Sequence, residues 1–380
     1  MATDTTMNHN GITLETSQPL PSLGGVDGQL GAMIGTAPNK DASVEHHEPV
    51  KLFTVNDLPL IDTTESPQGT LYYNAKYHLE NSGTPLYIIV VPEGADDAAT
   101  EVNIIGGVDP SGQLLGISAF EMCQEAPTNI AVPMFSSVAV ANALATVCDN
   151  TYAEGWIDAP DTTTVDAKTF AALLGKAHQR VWCVDVHGER YSHAIAPSVI
   201  GMAARCSVKP WRTCNGAPLK LDDIARRVGY KVNNKHSEAV DLNKVGVSLP
   251  VDDPNGGLMF LGTRTADGTH GNVIGIENQL CRELIKSHRD TMPENLDEDF
   301  FKERIAQLNN WLKTIKADGA LINAEVYLHP TRNTVDRYNN GEWVLVIDWG
   351  AYRPNEHSII ELNQVNSIVE AYVEEITKGS

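Results

Sequence analysis

The hydrophobic pattern changes character three times along the chain. Residues 1–24 are polar and carry Pro19 and Pro21. Only GITLET has strand character there, with Ile12 and Leu14 on one face and Thr13 and Glu15 on the other. One short strand has no stability alone, so this stretch is either disordered or paired with something distant. From Gly31 strands alternate with helices. LGAMIGTA and TPLYIIVV are apolar runs of the kind buried on both faces of a sheet. IAVP, GWIDAP and VWCVDV follow the same rule. Helical patterns stand between them: GTLYYNAKYHLEN ending at Gly83, VAVANALATVC and AKTFAALLGKA. This order predicts an α/β domain with a largely parallel sheet. Residues 205–257 are irregular and polar, with candidate strands around Val228 and Val245, and GLMFLGTRT is a further apolar strand.

After Gly268 the composition shifts. IENQLCRELIKSHRDTM and LDEDFFKERIAQLNNWLKTIKADG read as helices, the second opening on Asp297 and stopping at Gly319. INAEVYLHP alternates, with Ile322, Ala324, Val326 and Leu328 on one side and Asn323, Glu325, Tyr327 and His329 on the other. Two strand-like runs then flank the spacer AYRPNE: Val344, Leu345, Val346 and Ile347 before it, and Ser358, Ile359, Ile360, Glu361 and Leu362 after it. The spacer is too long and proline-bound for a tight hairpin and too short for a helix. A last amphipathic piece places Val365, Ile368, Val369, Tyr372, Val373 and Ile376 on one helical face. The expected class is therefore an α/β module followed by an α+β C-terminal module.

Composition narrows the function more than any motif does. The 380 residues suffice for two or three domains, and 42% are apolar. The net charge of −21 argues against a nucleic-acid surface, which needs clustered Lys and Arg. No apolar stretch approaches the roughly 20 residues of a membrane span, and the N-terminus has no signal-peptide pattern, so a cytosolic origin is expected. The six cysteines form no CxxC. They read mainly as small buried hydrophobes, though Cys206 and Cys214, in a polar stretch, could be exposed. A zinc site there has no second close pair to complete it. No cofactor is expected: IIGG and SLGG are neither GxGxxG nor a P-loop, and GxSxG and HExxH are absent. Asp185, His187 and His193 after a buried strand are the best enzyme candidate, read mainly as a polar loop; Asp267 and His270 read as a Gly-rich turn, and Glu294, Asp297, Glu298 and Asp299 as a solvated helix start.

The order of these segments closely resembles that of tail sheath proteins of contractile-tail bacteriophages, R-type pyocins and related injection systems. The likeness lies in AMIGTAPN, KLFTVNDLPL, GTLYYNAKYHLENSG and PLYIIVVPEGADDAATEVNIIGG, then APTNIAVPMFSSVAVANALATVCDNTYAEGWIDAP. GLMFLGTRT resembles the strand of their WGARTL-like signature, with Phe260-Leu261 in place of the usual aromatic position. NWLKTIKADGALINAEVYL and GEWVLVIDWGAYRPNEHSIIELNQV resemble their closing helix and strands. Residues 205–257 match weakly, and the tail after Asn366 extends beyond many sheath proteins.

The resemblance implies a structural protein, not an enzyme, that polymerises as a helical sleeve and contracts from a metastable state. It implies an N-terminal arm (1–24), an outer α/β domain (25–262), an inner C-terminal domain facing the tube (263–354) and a C-terminal arm with its helix (355–380). The arms would add strands to neighbouring copies through Ile12, Thr13, Leu14 and Glu15, and through Val344, Leu345, Val346, Ile347 and Ser358, Ile359, Ile360, Glu361 and Leu362. Implied partners are other sheath copies, the tail tube protein, and baseplate and tail terminator proteins, with no nucleic acid and no membrane insertion. The implied location is the virion tail, assembled in the host cytoplasm. The alternatives are an α/β enzyme at Asp185 and His187, or another tail or baseplate component.

Overall fold

A computed structural model describes residues 28–378 apart from 176, 177 and 293. The expected arm strand Ile12–Glu15 lies outside the described residues. Nine strands form one sheet: β1 (Gly31–Thr36), β2 (Pro49–Leu52), β3 (Leu86–Val91), β4 (Asn129–Val132), β5 (Glu154–Asp158), β6 (Val181–Val184), β7 (Pro218–Leu219), β8 (Val247–Asp252) and β9 (Leu258–Leu261). Their spatial order is β7-β9-β8-β6-β5-β4-β1-β3-β2. The run from β3 through β1, β4, β5 and β6 to β8 is parallel. Antiparallel pairs close it at both ends, β2 on β3 and β9 on β8.

Helices cover both faces, as a parallel sheet joined by crossovers requires. The helices are α1 (Tyr72–Ser82), α2 (Asp97–Ile105), α3 (Val138–Thr151), α4 (Thr164–Leu174) and α5 (Pro197–Cys206). Side-chain alternation divides each strand between two cores. Met33, Ile88 and Trp156 pack with Val199, Ile200 and Met202 of α5. Ala32, Ile34, Ile89 and Ile157 pack with Leu144 of α3 and Phe170 of α4 on the other side. All six residues of β1 and of β3 are buried, which is why their sequences are continuously apolar.

The expected strand near Val245 is β8. Val228 itself lies in no strand: it is buried in a loop against the second core, four residues after the short strand Asp223–Ile224. Cys206 and Cys214 are both buried, contrary to the exposure their polar neighbours suggested. Cys206 is the last residue of α5, on its sheet-facing side, and Cys214 joins the same core. Burial pushes both thiols up to about 12.

The C-terminal part includes α6 (Gly271–Thr291), α7 (Glu298–Ala317), β10 (Leu321–Leu328), β11 (Leu345–Ala351) and α8 (Asn366–Lys378), with a short helix, Val335–Asn339, between the two strands. Asp297 caps α7 by accepting from the Phe300 amide at 2.8 Å, and Gly319 (φ 78°) reverses the chain after it. A third core joins Ile276 and Leu280 of α6, Leu308, Trp311 and Leu312 of α7, and Leu321 and Val326 of β10. Trp211, from the irregular middle segment, belongs to this core and fastens the two halves together.

Candidate assembly interface

The junction between the halves is built around a buried ion pair. Arg205 of α5 bonds both carboxylate oxygens of Glu154 on β5, and also the carbonyls of Pro210 (2.6 Å), Arg212 (3.0 Å) and Gly271 (3.3 Å). Glu154 also accepts from the Trp182 indole at 2.7 Å. The Trp182 ring stacks on Trp156 at 4.7 Å, across the β5–β6 register. Every partner of the pair is satisfied, the condition under which a buried ion pair is tolerated. The start of α6 rests against this cluster, so the C-terminal half has a fixed base.

On that base stands a two-stranded sheet. β10 and β11 pair antiparallel, with Val326 opposite Ile347, Ala324 opposite Trp349 and Leu328 opposite Leu345. These residues line the core side. The register slips between Leu321 and Asn323, and that bulge turns Ile322 outward. The alternation expected from Ile322 therefore begins only at Ala324, and Leu321 takes the buried place. Among the described residues no strand pairs with the outer edge of either β10 or β11. An unprotected edge is a template for pairing with another chain.

Val344–Ile347 pair within their own chain. Leu345, Val346 and Ile347 pair with Leu328, Tyr327 and Val326, and the Val344 carbonyl accepts from the His329 amide at 3.0 Å. After β11 the chain becomes extended and exposed. Ile359 is 84% exposed, Ile360 78% and Leu362 92%. Helix α8 follows with Ile368, Val369, Tyr372, Val373 and Ile376 all exposed along one side. Such a run of apolar side chains at strand and helix spacing, uncovered by the other described residues, is the kind of patch found at interaction surfaces.

The root of this arm is held by contacts the sequence reading did not anticipate. Glu356, in the spacer, accepts from Arg264 Nε at 2.9 Å and Nη2 at 2.7 Å, and from the Thr263 hydroxyl. The only sequence signal was a charged residue inside a proline-bound spacer, with no hint of its distant partner.

The enzyme candidates are held in ion pairs and hydrogen bonds. Asp185 is fully buried at the end of β6 and accepts from Arg226. His187 donates its amide to Asp161, and its Nδ1 lies 3.0 Å from the same oxygen. Arg226 also bonds Thr164, so it ties the 222–238 segment to the ends of β5 and β6. Burial raises Asp185 to about 6 against the pull of Arg226. Burial opposes the charge on His187, but the bond to Asp161 and the fields of Asp158, Asp161 and Asp185 outweigh it and raise the imidazole. His193 stacks on Tyr73 at 3.6 Å on the surface, away from this cluster. Asp267 closes a turn by accepting from Thr265 and Thr269. Among the described residues no group of His, Cys, Asp or Glu has metal-binding geometry, and no helix is long and apolar enough to cross a membrane.

Known proteins resemble this chain in sequence and in fold. No family model matches the chain. The tail sheath protein of Escherichia phage P2 is 21% identical over 381 residues, covering 92% of this chain and 93% of that protein. A prophage major tail sheath protein of Pseudomonas aeruginosa (strain UCBPP-PA14) is 21% identical over 323 residues, covering 80% and 82%. The fold and the sequence likeness are those of contractile-tail sheath proteins. A chain of the contracted helical sheath of the anti-feeding prophage, and one of the same particle's baseplate, each match with a TM-score of 0.70 and 18% identity. Both alignments cover 94% of this chain and 99% of the other, so the sheath fold spans the β-sheet module and the C-terminal half together.

Proposed function

We propose that the protein is the structural subunit of a contractile tail sheath, a helical sleeve that surrounds a tail tube and drives it forward by contracting. The observation that carries this reading is the pairing of need and supply in one chain. Among the described residues the β10–β11 sheet has two open edges, and the arm beyond Glu356 offers apolar strand-forming residues that none of the described residues covers. Ser358–Leu362 of one copy would extend the β10–β11 sheet of a neighbour, and Ile12–Glu15 of another copy would take the remaining edge. Leu345, Val346 and Ile347 then serve on the receiving strand. Main-chain hydrogen bonds supply affinity, and alternate side chains set the register. Each bond contributes only about 1 kcal/mol net. Two arms per copy, repeated along a polymer, connect the lattice while their linkers bend.

In this reading residues 25–262 form the outer wall, 263–354 face the tube, and 1–24 and 355–380 are the connecting arms. The partners are other copies, the tube protein, and the baseplate and terminator proteins at the two ends. The location is the virion tail, after assembly in the host cytoplasm. Work is stored in subunit contacts at assembly, and a few kcal/mol per subunit, summed over the sleeve, is decisive. Electron microscopy of the purified chain tests the reading: helical sleeves are expected. Deleting residues 1–20 should abolish them and leave a folded monomer. Normal sleeves from the truncated chain would overturn the strand-exchange account.

A further inference from the structure

The turn that precedes α6 meets the arm just after β11. Arg264 grips Glu356 with two parallel N–H···O bonds, 2.9 and 2.7 Å long, the forked geometry that a guanidinium offers a carboxylate. Its Nη1 donates to the Gly268 carbonyl at 2.9 Å, which fixes the plane of the fork. The Thr263 hydroxyl donates to the same Glu356 carboxylate, and His270 Nδ1 lies 3.5 Å from it. Close by, the Asn272 side chain donates to the Tyr352 carbonyl at 2.9 Å. Beyond Glu356 the described bonds run within the arm itself: Asn355 with Ser358, and those inside α8.

We propose that Arg264 and Glu356 form a clamp that sets where the C-terminal arm becomes free, and thereby how far it reaches toward a second copy. The inference rests on the sheath reading above. With the clamp closed, the free chain before α8 is residues 357–365, which spans at most about 30 Å when extended. With it open, the Asn272–Tyr352 bond becomes the root, and residues 353–356 add about 13 Å of slack. A fixed root gives each arm one direction and one reach, so every copy engages a neighbour at the same spacing. A slack root lets one arm satisfy several spacings. The fork must be arginine: a lysine ammonium is a point charge and cannot hold both oxygens in one plane.

The test uses the full chain with Glu356→Gln, Arg264→Lys, and the exchanged pair Arg264→Glu with Glu356→Arg. Hydrogen–deuterium exchange of the monomer reads the clamp directly. For a partly exposed ion pair, the hydrogen-bonded amides of the turn that carries Arg264 (Thr265, Gly268 and Gly271) should exchange roughly fivefold faster in each single variant, with the sheet and the body of α6 unchanged. The exchanged pair should return toward the wild-type rate. Electron microscopy then reads the reach: single variants should give sleeves with a wider spread of helical rise and twist, or none. Unchanged exchange overturns the clamp whatever the sleeves look like. Faster exchange with wild-type sleeve parameters overturns its role in reach. A wild-type chain that forms no sleeves overturns the sheath reading and the reach assignment with it, while the exchange data still decide whether the clamp exists.

Discussion

Arg205 and Glu154 show how much one residue can organise. Both are buried, and removing either leaves the other charged and without its counter-ion in a dry site, which typically costs about 3–5 kcal/mol. The Asp185 cluster carries a different signature, a dependence on pH. Asp185 has an ordinary value of 3.8 and a folded value of about 6, so between these the folded chain holds a proton that the unfolded chain does not. Stability from this group therefore falls as pH rises from about 4 to 6. Asp158, also raised by burial, and His187, raised by its carboxylate neighbours, act in the same direction, the latter at higher pH. Asp161 is lowered and acts oppositely, in the acid range. Thermal melts should thus show the Tm decreasing between pH 4 and 6, and Asp185→Asn should flatten that slope. An unaltered slope would assign the effect to another group. The cluster's chemistry was legible as a set of residue types. That Arg226, far along the chain and in an irregular segment, would bond Asp185 was not.

At the level of elements, α6 does the joining. Its first residue is Gly271, where a side chain has no room: a Cβ would sit 1.9 Å from the Trp182 ring. Gly271→Ala should push α6 off the stacked tryptophans and destabilise the chain by about 1–3 kcal/mol, measured by denaturant titration. A change below about 0.5 kcal/mol would mean the ring moves aside freely. The sequence placed this helix from Ile276, whereas it starts at Gly271. The first turn was hidden because glycine and asparagine weaken the helical pattern while tertiary contacts stabilise it. The bulge in β10 is a similar case. Alternation in INAEVYL pointed Ile322 inward, but one extra residue in the ladder reverses its direction. Periodicity cannot register a bulge that shows only when the strand is counted against its partner.

For the whole molecule, helix α8 provides the sharpest separation of fold from assembly. Among the described residues its apolar side chains are exposed and belong to no core, so Ile368→Asp with Tyr372→Asp should leave the monomer's Tm within the range of ordinary surface changes, about 0.5 kcal/mol. The same pair should stop sleeve formation, because two carboxylates would enter a buried interface. Light scattering and electron microscopy give both readouts. Loss of monomer stability instead would show that α8 folds back onto its own body. The sequence alone determined the parallel sheet, through apolar runs long enough to be buried on both faces, and the amphipathic final helix, through its spacing. It also determined that the second strand-like run, SIIELNQV, cannot close a tight hairpin on the first, since AYRPNE is too long and proline-bound. These are local facts, set by periodicity and backbone chemistry. Only the tertiary structure decided that β11 pairs with β10 and that no other described strand joins them, that Trp211 fastens the halves, and that Arg264 holds Glu356. Each joins residues distant in sequence, and such contacts depend on the packing of the whole chain rather than on any pattern within one segment.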